Sequence, residues 1–155
     1  MPVEALREFL DRNRIKYVVI SHSPAHTAQE IAASAHIPGR EMAKTVIVKI
    51  DGRLAMAVLP ASELVDLDLL ADAAFARRLE LAEEEEFRDR FPDCQLGAMP
   101  PFGNLYRMDV YVAESLAEDD EIAFNGGSFT ELVRMAYADY ARLVKPRILR
   151  FGAPR

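Results

Sequence analysis

The stretch that decides the fold is Lys44-Thr45-Val46-Ile47-Val48-Lys49-Ile50-Asp51-Gly52-Arg53-Leu54-Ala55-Met56-Ala57-Val58-Leu59-Pro60. Two apolar runs flank an Asp-Gly pair, which predicts a β-hairpin turning at Asp51-Gly52. The second strand runs from Leu54 to Leu59 and stops at Pro60. Side chains alternate across a strand, so Lys44 shares its face with Val46, Val48 and Ile50, and Lys49 points the other way. An ammonium on an apolar strand face either snorkels out at the strand end or lines a cleft. In a cleft it attracts phosphate, carboxylate or another developing negative charge.

Working outward, Pro2 suits a first helical turn, and Leu6, Phe9 and Leu10 recur at helical spacing. Tyr17-Val18-Val19-Ile20 predicts a short buried strand. Ser21 to His26, interrupted by Pro24, reads as a loop. Thr27-Ala28-Gln29-Glu30 matches a capping box and opens a helix that ends by Pro38-Gly39. Downstream of the hairpin, Asp66 to Ala76 predicts a helix and Leu79 to Leu81 a short strand. The acid run Glu83 to Glu86 fits a helix N-terminus, where carboxylates are favoured. Tyr106 to Val112 and Glu121 to Phe124 read as strands. A turn at Asn125-Gly126-Gly127 returns the chain along Phe129 to Val133, and Tyr137 to Leu143 closes as a helix. Hairpins mixed with helices predict an α+β or mixed α/β domain rather than a doubly wound sheet.

At 155 residues the chain fits one domain spanning 1–155, with length enough for a core. Half the residues are hydrophobic (50%) and 28% are charged, a globular balance. No apolar run reaches the roughly 20 residues of a membrane span. No signal-peptide pattern is visible at Met1-Pro2-Val3-Glu4, so a cytoplasmic location is expected. The single cysteine, Cys94, excludes an internal disulfide and a Cys-rich zinc site. A net charge of −6 argues against indiscriminate nucleic-acid binding. It leaves room for local basic rims, for which Arg40, Lys44 and Arg53 form one candidate set and Lys145, Arg147 and Arg150 another.

Gly97-Ala98-Met99-Pro100-Pro101-Phe102-Gly103 is too rich in glycine and proline for a helix or inner strand. Such a stiff loop can hold backbone groups in place for oxyanion stabilisation, or it can be an ordinary tight connection. His22 and His26 are four residues apart, but Pro24 breaks the helix that would put both rings on one face. No metal or other cofactor is indicated. Cys94 has no histidine near it in sequence and reads as an incidental thiol. P-loop, GxGxxG and GxSxG patterns are absent.

Together, Thr27-Ala28-Gln29-Glu30, Ala43-Lys44-Thr45-Val46, the Gly97–Gly103 loop and Phe124-Asn125-Gly126-Gly127 resemble the YbaK/EbsC family, the prolyl-tRNA-synthetase-associated editing domains. The resemblance runs from about the first strand to the last helix. It implies a mixed, largely antiparallel and partly barrel-like sheet with surrounding helices. It also implies an aminoacyl-tRNA deacylase acting on the tRNA 3′ end, with a synthetase as a candidate partner. Lys44 matches the family's essential lysine, which contacts the phosphate region of the 3′-terminal adenosine. Gly97 and Pro101 match the GxxxP motif, whose backbone holds the aminoacyl ester or the attacking group. By the same resemblance Thr27, Met99, Pro101, Phe102, Gly103, Gly127 and Phe129 are expected at the substrate. One departure stands out. Many relatives carry a histidine where this chain has Phe129, and a phenyl ring neither donates nor accepts a proton. The reaction implied is hydrolysis of an ester carrying a small mischarged amino acid. A binding module that holds a tRNA end, a nucleotide or a protein without turnover is the alternative, and another small-molecule hydrolase on the same fold is a third reading.

Overall fold

The computed structural model describes residues 2–22, 28–35 and 37–154. The helices in chain order are α1 (Glu4–Arg12), α2 (Ala28–Ser34), α3 (Leu67–Ala73), α4 (Glu84–Phe87), α5 (Glu114–Ala117) and α6 (Tyr137–Val144). The strands are β1 (Tyr17–Ser21), β2 (Ala43–Ile50), β3 (Arg53–Pro60), β4 (Glu63–Val65), β5 (Leu79–Leu81), β6 (Asp109–Ala113), β7 (Glu121–Asn125), β8 (Glu131–Ala136), β9 (Arg147–Leu149) and β10 (Gly152–Pro154).

The expected hairpin is present. Strands β2 and β3 pair antiparallel from Ala43↔Pro60 to Ile50↔Arg53. Asp51 and Gly52 both have positive φ, 48° and 84°, the backbone that a two-residue type I′ turn requires. The Asp51 side chain accepts from the backbone N–H groups of Arg77 and Arg78, so the turn is also tied to the chain entering β5.

This hairpin is the centre of a five-stranded sheet in the order β5-β2-β3-β6-β9. Strand β5 joins β2 antiparallel, whereas β3–β6 and β6–β9 are parallel. A second sheet has the antiparallel order β1-β8-β7, and β4 pairs with β10. Most pairings are therefore antiparallel within a mixed architecture, as expected. The pairings form open sheets, and the partly barrel-like closure is not seen in them. A parallel bridge from Met42 to Ala123 links the β2 side to β7.

Both faces of the large sheet are covered, and alternation sorts the side chains. Ala43, Ile47, Met56, Val58, Val110 and Val112 enter one cluster with Leu6 and Leu10 of α1, Phe102, Phe124 and Tyr140. Val48, Ala55, Ala57, Leu59 and Tyr111 enter another with Leu70 of α3 and Phe151. Burial on two faces explains why β3 reads as a continuous apolar run.

Several expectations shift. Strand β1 is an edge strand, with Val18 and Val19 exposed rather than buried, because it pairs with β8 alone. Helix α3 begins after Asp66, whose side chain caps it by accepting from the Leu69 N–H. Strand β6 starts at Asp109, after a 3-10 turn at Gly103–Leu105 and a left-handed residue, Arg107 (φ 58°). The capping box expected at Thr27 lies outside the described residues. A different one is found at α4, where Glu83 and Glu86 exchange side-chain and backbone bonds.

One carboxylate outside these elements couples the fold to pH. Asp119, between α5 and β7, has its Oδ2 atom buried without a hydrogen-bond partner. Burial, reinforced by the nearby Glu41 carboxylate, pushes its pKa up from 3.8 to about 6. Between these values the folded protein holds more protons than the unfolded chain. Stability therefore falls as pH rises through that window, and the penalty is complete above it. Asp119→Asn is expected to raise the thermal midpoint at pH 7.5 and to leave it nearly unchanged at pH 3.5. Melts at the two pH values check this.

Candidate functional site

The Gly97 loop and the Gly126-Gly127 turn are stitched together by backbone bonds. The Gln95 N–H donates to the Gly127 carbonyl (2.8 Å), and the Gly127 N–H donates to the Ala98 carbonyl (3.0 Å). The Gln95 side-chain oxygen accepts from the Phe129 N–H at 2.8 Å. Gln95 is thus the residue that sets one loop against the other. Nothing in the sequence marks it, because its partners lie in a different segment.

Two glycines at this seam need to be glycine. Gly97 has φ +93° and is exposed, and a Cβ there would lie 3.1 Å from the Phe129 ring. Gly127 has φ +104°, and a Cβ there would lie 2.3 Å from the Val3 side chain. The chain before α1 closes this side, with the Val3 N–H donating to the Gly126 carbonyl at 2.9 Å.

The Gly97 N–H donates to the Met99 thioether sulfur at 3.1 Å. A thioether is a weak acceptor. The donor is thus held in a defined direction by a partner that an anionic oxygen can displace.

Gly97, Gly127 and Phe129, which the sequence placed at the substrate, come together at this seam. Met99 is nearly buried and reaches the seam through its sulfur. Pro101, Phe102 and Gly103 are buried and support the loop from behind. The Pro101 carbonyl accepts from the buried Tyr140 hydroxyl at 2.7 Å. Phe102 packs among Phe9, Phe124 and Tyr140, with ring centroids 5.3–6.1 Å apart. Gly103 lies against the Met108 carbonyl. Thr27 lies outside the described residues.

Lys44 stands half-buried at the start of β2, opposite Leu59. Its face is the one expected, since Val46, Val48 and Ile50 belong to the cluster on that side of the sheet. Met42, two residues earlier, belongs to the apolar cluster against which Phe129 packs. Met99 and Phe102 of the Gly97 loop belong to the cluster on the other side of that sheet.

Cys94 is no candidate nucleophile. Burial pushes its thiol up to about 12, and Sγ lies 3.4 Å from the Tyr106 hydroxyl. A thiol there stays protonated at neutral pH. Among the described residues, no group of three or more His, Cys, Asp or Glu side chains is placed to hold a metal ion. No helix among them is long and apolar enough to cross a membrane.

A mixed α+β fold with a glycine-proline loop at its seam defines a class, and comparison with known proteins names the family. The model of the aminoacyl-tRNA editing domain matches residues 22–143, and the chain belongs to that family. Among solved structures, the hypothetical protein APE2540 is similar with a TM-score of 0.85 and 18% identity, over 97% of this chain and 100% of that one. A candidate trans-editing enzyme for prolyl tRNA synthetase is similar with a TM-score of 0.80 and 19% identity, over 96% of this chain and 95% of that one. A larger protein from Marinobacter aquaeolei VT8 matches with a TM-score of 0.77 and 17% identity, over 96% of this chain and 30% of its own length. At such identities these structures share the fold. The resemblance read from the sequence agrees with the family.

Proposed function

We propose that this chain is a single-domain, trans-acting aminoacyl-tRNA deacylase of the cytoplasm. It hydrolyses the ester of a tRNA mischarged with a small amino acid and uses no cofactor. The observation that carries the reading is the exposed Gly97 backbone, whose N–H is aimed and held only by a thioether. As water attacks the ester carbonyl and its proton passes by way of the neighbouring ribose hydroxyl to the leaving ribose oxygen, the carbonyl oxygen becomes an oxyanion. That oxygen takes the Gly97 N–H from Met99. Donors fixed before the reaction lower the barrier because they need no reorganisation as charge develops. Lys44 holds the terminal phosphate region and positions the ester. The phenyl ring of Phe129, packed beside Gly97, limits the room for the amino-acid side chain and supplies no proton. The attacking water, the substrate's own ribose hydroxyl and the backbone therefore carry the chemistry. An aminoacyl-tRNA synthetase is a natural partner, since it supplies the mischarged substrate.

The test is a deacylation time course on a panel of mischarged tRNAs, with wild type and Lys44→Ala in parallel. Release from one or a few tRNAs is expected. A hydrogen bond to a charged group contributes about 1.5–3 kcal/mol, so the variant should be slower by roughly ten- to a hundred-fold. Binding without release from any tRNA would replace this reading with that of a non-catalytic module.

A further inference from the structure

Resting on the tRNA reading above, we propose that a basic surface at the far end of the β2–β3 hairpin docks the sugar-phosphate backbone of the tRNA duplex. Two grooves of about 430 and 390 Å³ lie side by side there and share Arg107 and Asp109. Together they are lined by six cations, Lys49, Arg53, Arg90, Arg107, Lys145 and Arg147, against the carboxylates Glu86 and Asp109. In a chain of net charge −6, this excess of positive charge is a local reversal of sign.

The cations differ in what they have free. Lys49 is already paired with Glu86 and lies 3.9 Å from Glu80. Arg90 donates to the carbonyls of Tyr106 and Arg107, both at 3.3 Å. It thereby braces the left-handed turn at Arg107 (φ 58°). Lys145 is also left-handed (φ 53°). Such a backbone is unfavourable for a non-glycine residue. Both positions in this patch carry a cation where glycine or asparagine would be the inexpensive choice. Arg147 lies over the Tyr111 ring, 5.5 Å from its centroid. Arg53, Arg107, Lys145 and Arg147 are exposed and present their charge to solvent.

The placement suits an extended polyanion. Arg53 pairs with Ile50, six residues along β2 from Lys44, which is about 20 Å at the rise of a strand. A tRNA carries its ester on an unpaired 3′ end, several nucleotides from the first duplex phosphates. A protein that holds the terminal phosphate region at Lys44 needs its cations for the duplex at such a separation. Arginines and lysines on phosphates bind without reading sequence and set the register of the nucleic acid.

The test uses the full chain and an uncharged tRNA labelled for anisotropy, with affinity followed from 50 to 300 mM salt. The variant is Arg53→Ala/Arg107→Ala/Arg147→Ala. The control is Arg12→Ala/Lys16→Ala, which removes exposed charge elsewhere. Thermal melts establish that each variant is folded, and Arg53→Lys/Arg107→Lys/Arg147→Lys retains the charge should the alanine variant fail to fold. Affinity is expected to fall at least ten-fold in the triple alanine variant, with the salt slope reduced by about two to three. The lysine variant and the control should stay near wild type. Equal binding by wild type and the folded alanine variant overturns the proposal, and so does equal weakening by the control or no tRNA binding by wild type. Stronger loss of affinity for an acidic protein or anionic vesicle than for tRNA also overturns it. If no tRNA is deacylated but binding is lost only in the triple alanine variant, the surface stands and the deacylase reading falls.

Discussion

Gly97→Ala is expected to slow deacylation by about 10²–10³-fold, the usual cost of losing one oxyanion donor. Two separate forces act on the new methyl group. At φ +93° an L-residue is strained wherever its side chain goes, and the chain relaxes by rotating away from that angle. The methyl also meets the Phe129 ring at 3.1 Å, which pushes the loop in addition. Either motion swings the Gly97 N–H off the direction in which it meets Met99. The loss should appear in kcat rather than in KM, because the donor acts on charge that develops only in the transition state. The double variant Gly97→Ala/Phe129→Ala separates the two forces. It should recover only part of the rate, since the ring is gone and the backbone strain remains. Full activity in Gly97→Ala would remove this N–H from the mechanism.

The largest effect on stability is expected at a different glycine. Gly103→Ala would set a methyl group 2.3 Å from the Met108 carbonyl oxygen and 2.6 Å from the Val110 side chain. The first of these is backbone and cannot step aside. Met108 and Tyr106 both donate their N–H groups to the Gly103 carbonyl, at 2.9 Å, so the turn is pinned on both sides of the clash. Overpacking commonly costs 1–3 kcal/mol, and an immovable neighbour puts this site at about 3 or above. For a chain of this length the thermal midpoint should drop by roughly 6–12 °C. Gly39→Ala is the comparison, since a methyl there meets only the Ser62 side chain at 3.7 Å. It should be nearly neutral. Urea unfolding of both variants decides the matter.

What was legible in the sequence follows from range. The Asp51-Gly52 turn writes its backbone requirement into two adjacent residues, and alternation then fixes which side of the sheet holds Lys44. The stiffness of the Gly97–Gly103 loop was equally local. Strands β4, β9 and β10 and helix α5 were not read, because three or four residues carry no period. The parallel neighbours of β3 and β6 depend on contacts far along the chain. The exposure of β1 depends on having β8 as its sheet partner on one side only. At the seam, Gln95 reaches Phe129 across 34 positions, and no residue pattern announces such a bond. Phe102 and Gly103 belong to a recognisable motif, yet their burial is decided by Tyr140 and Met108.

The contact between Gly97 and the Phe129 ring also bears on how such a pair can change over evolutionary time. A small residue at 129 frees the space above 97 but not the backbone angle, so glycine remains the unstrained choice at 97 whatever stands at 129. Exchange in the opposite order meets both obstacles at once. Position 97 is therefore constrained twice, by its backbone angle and by this contact, and position 129 at this seam by the contact alone.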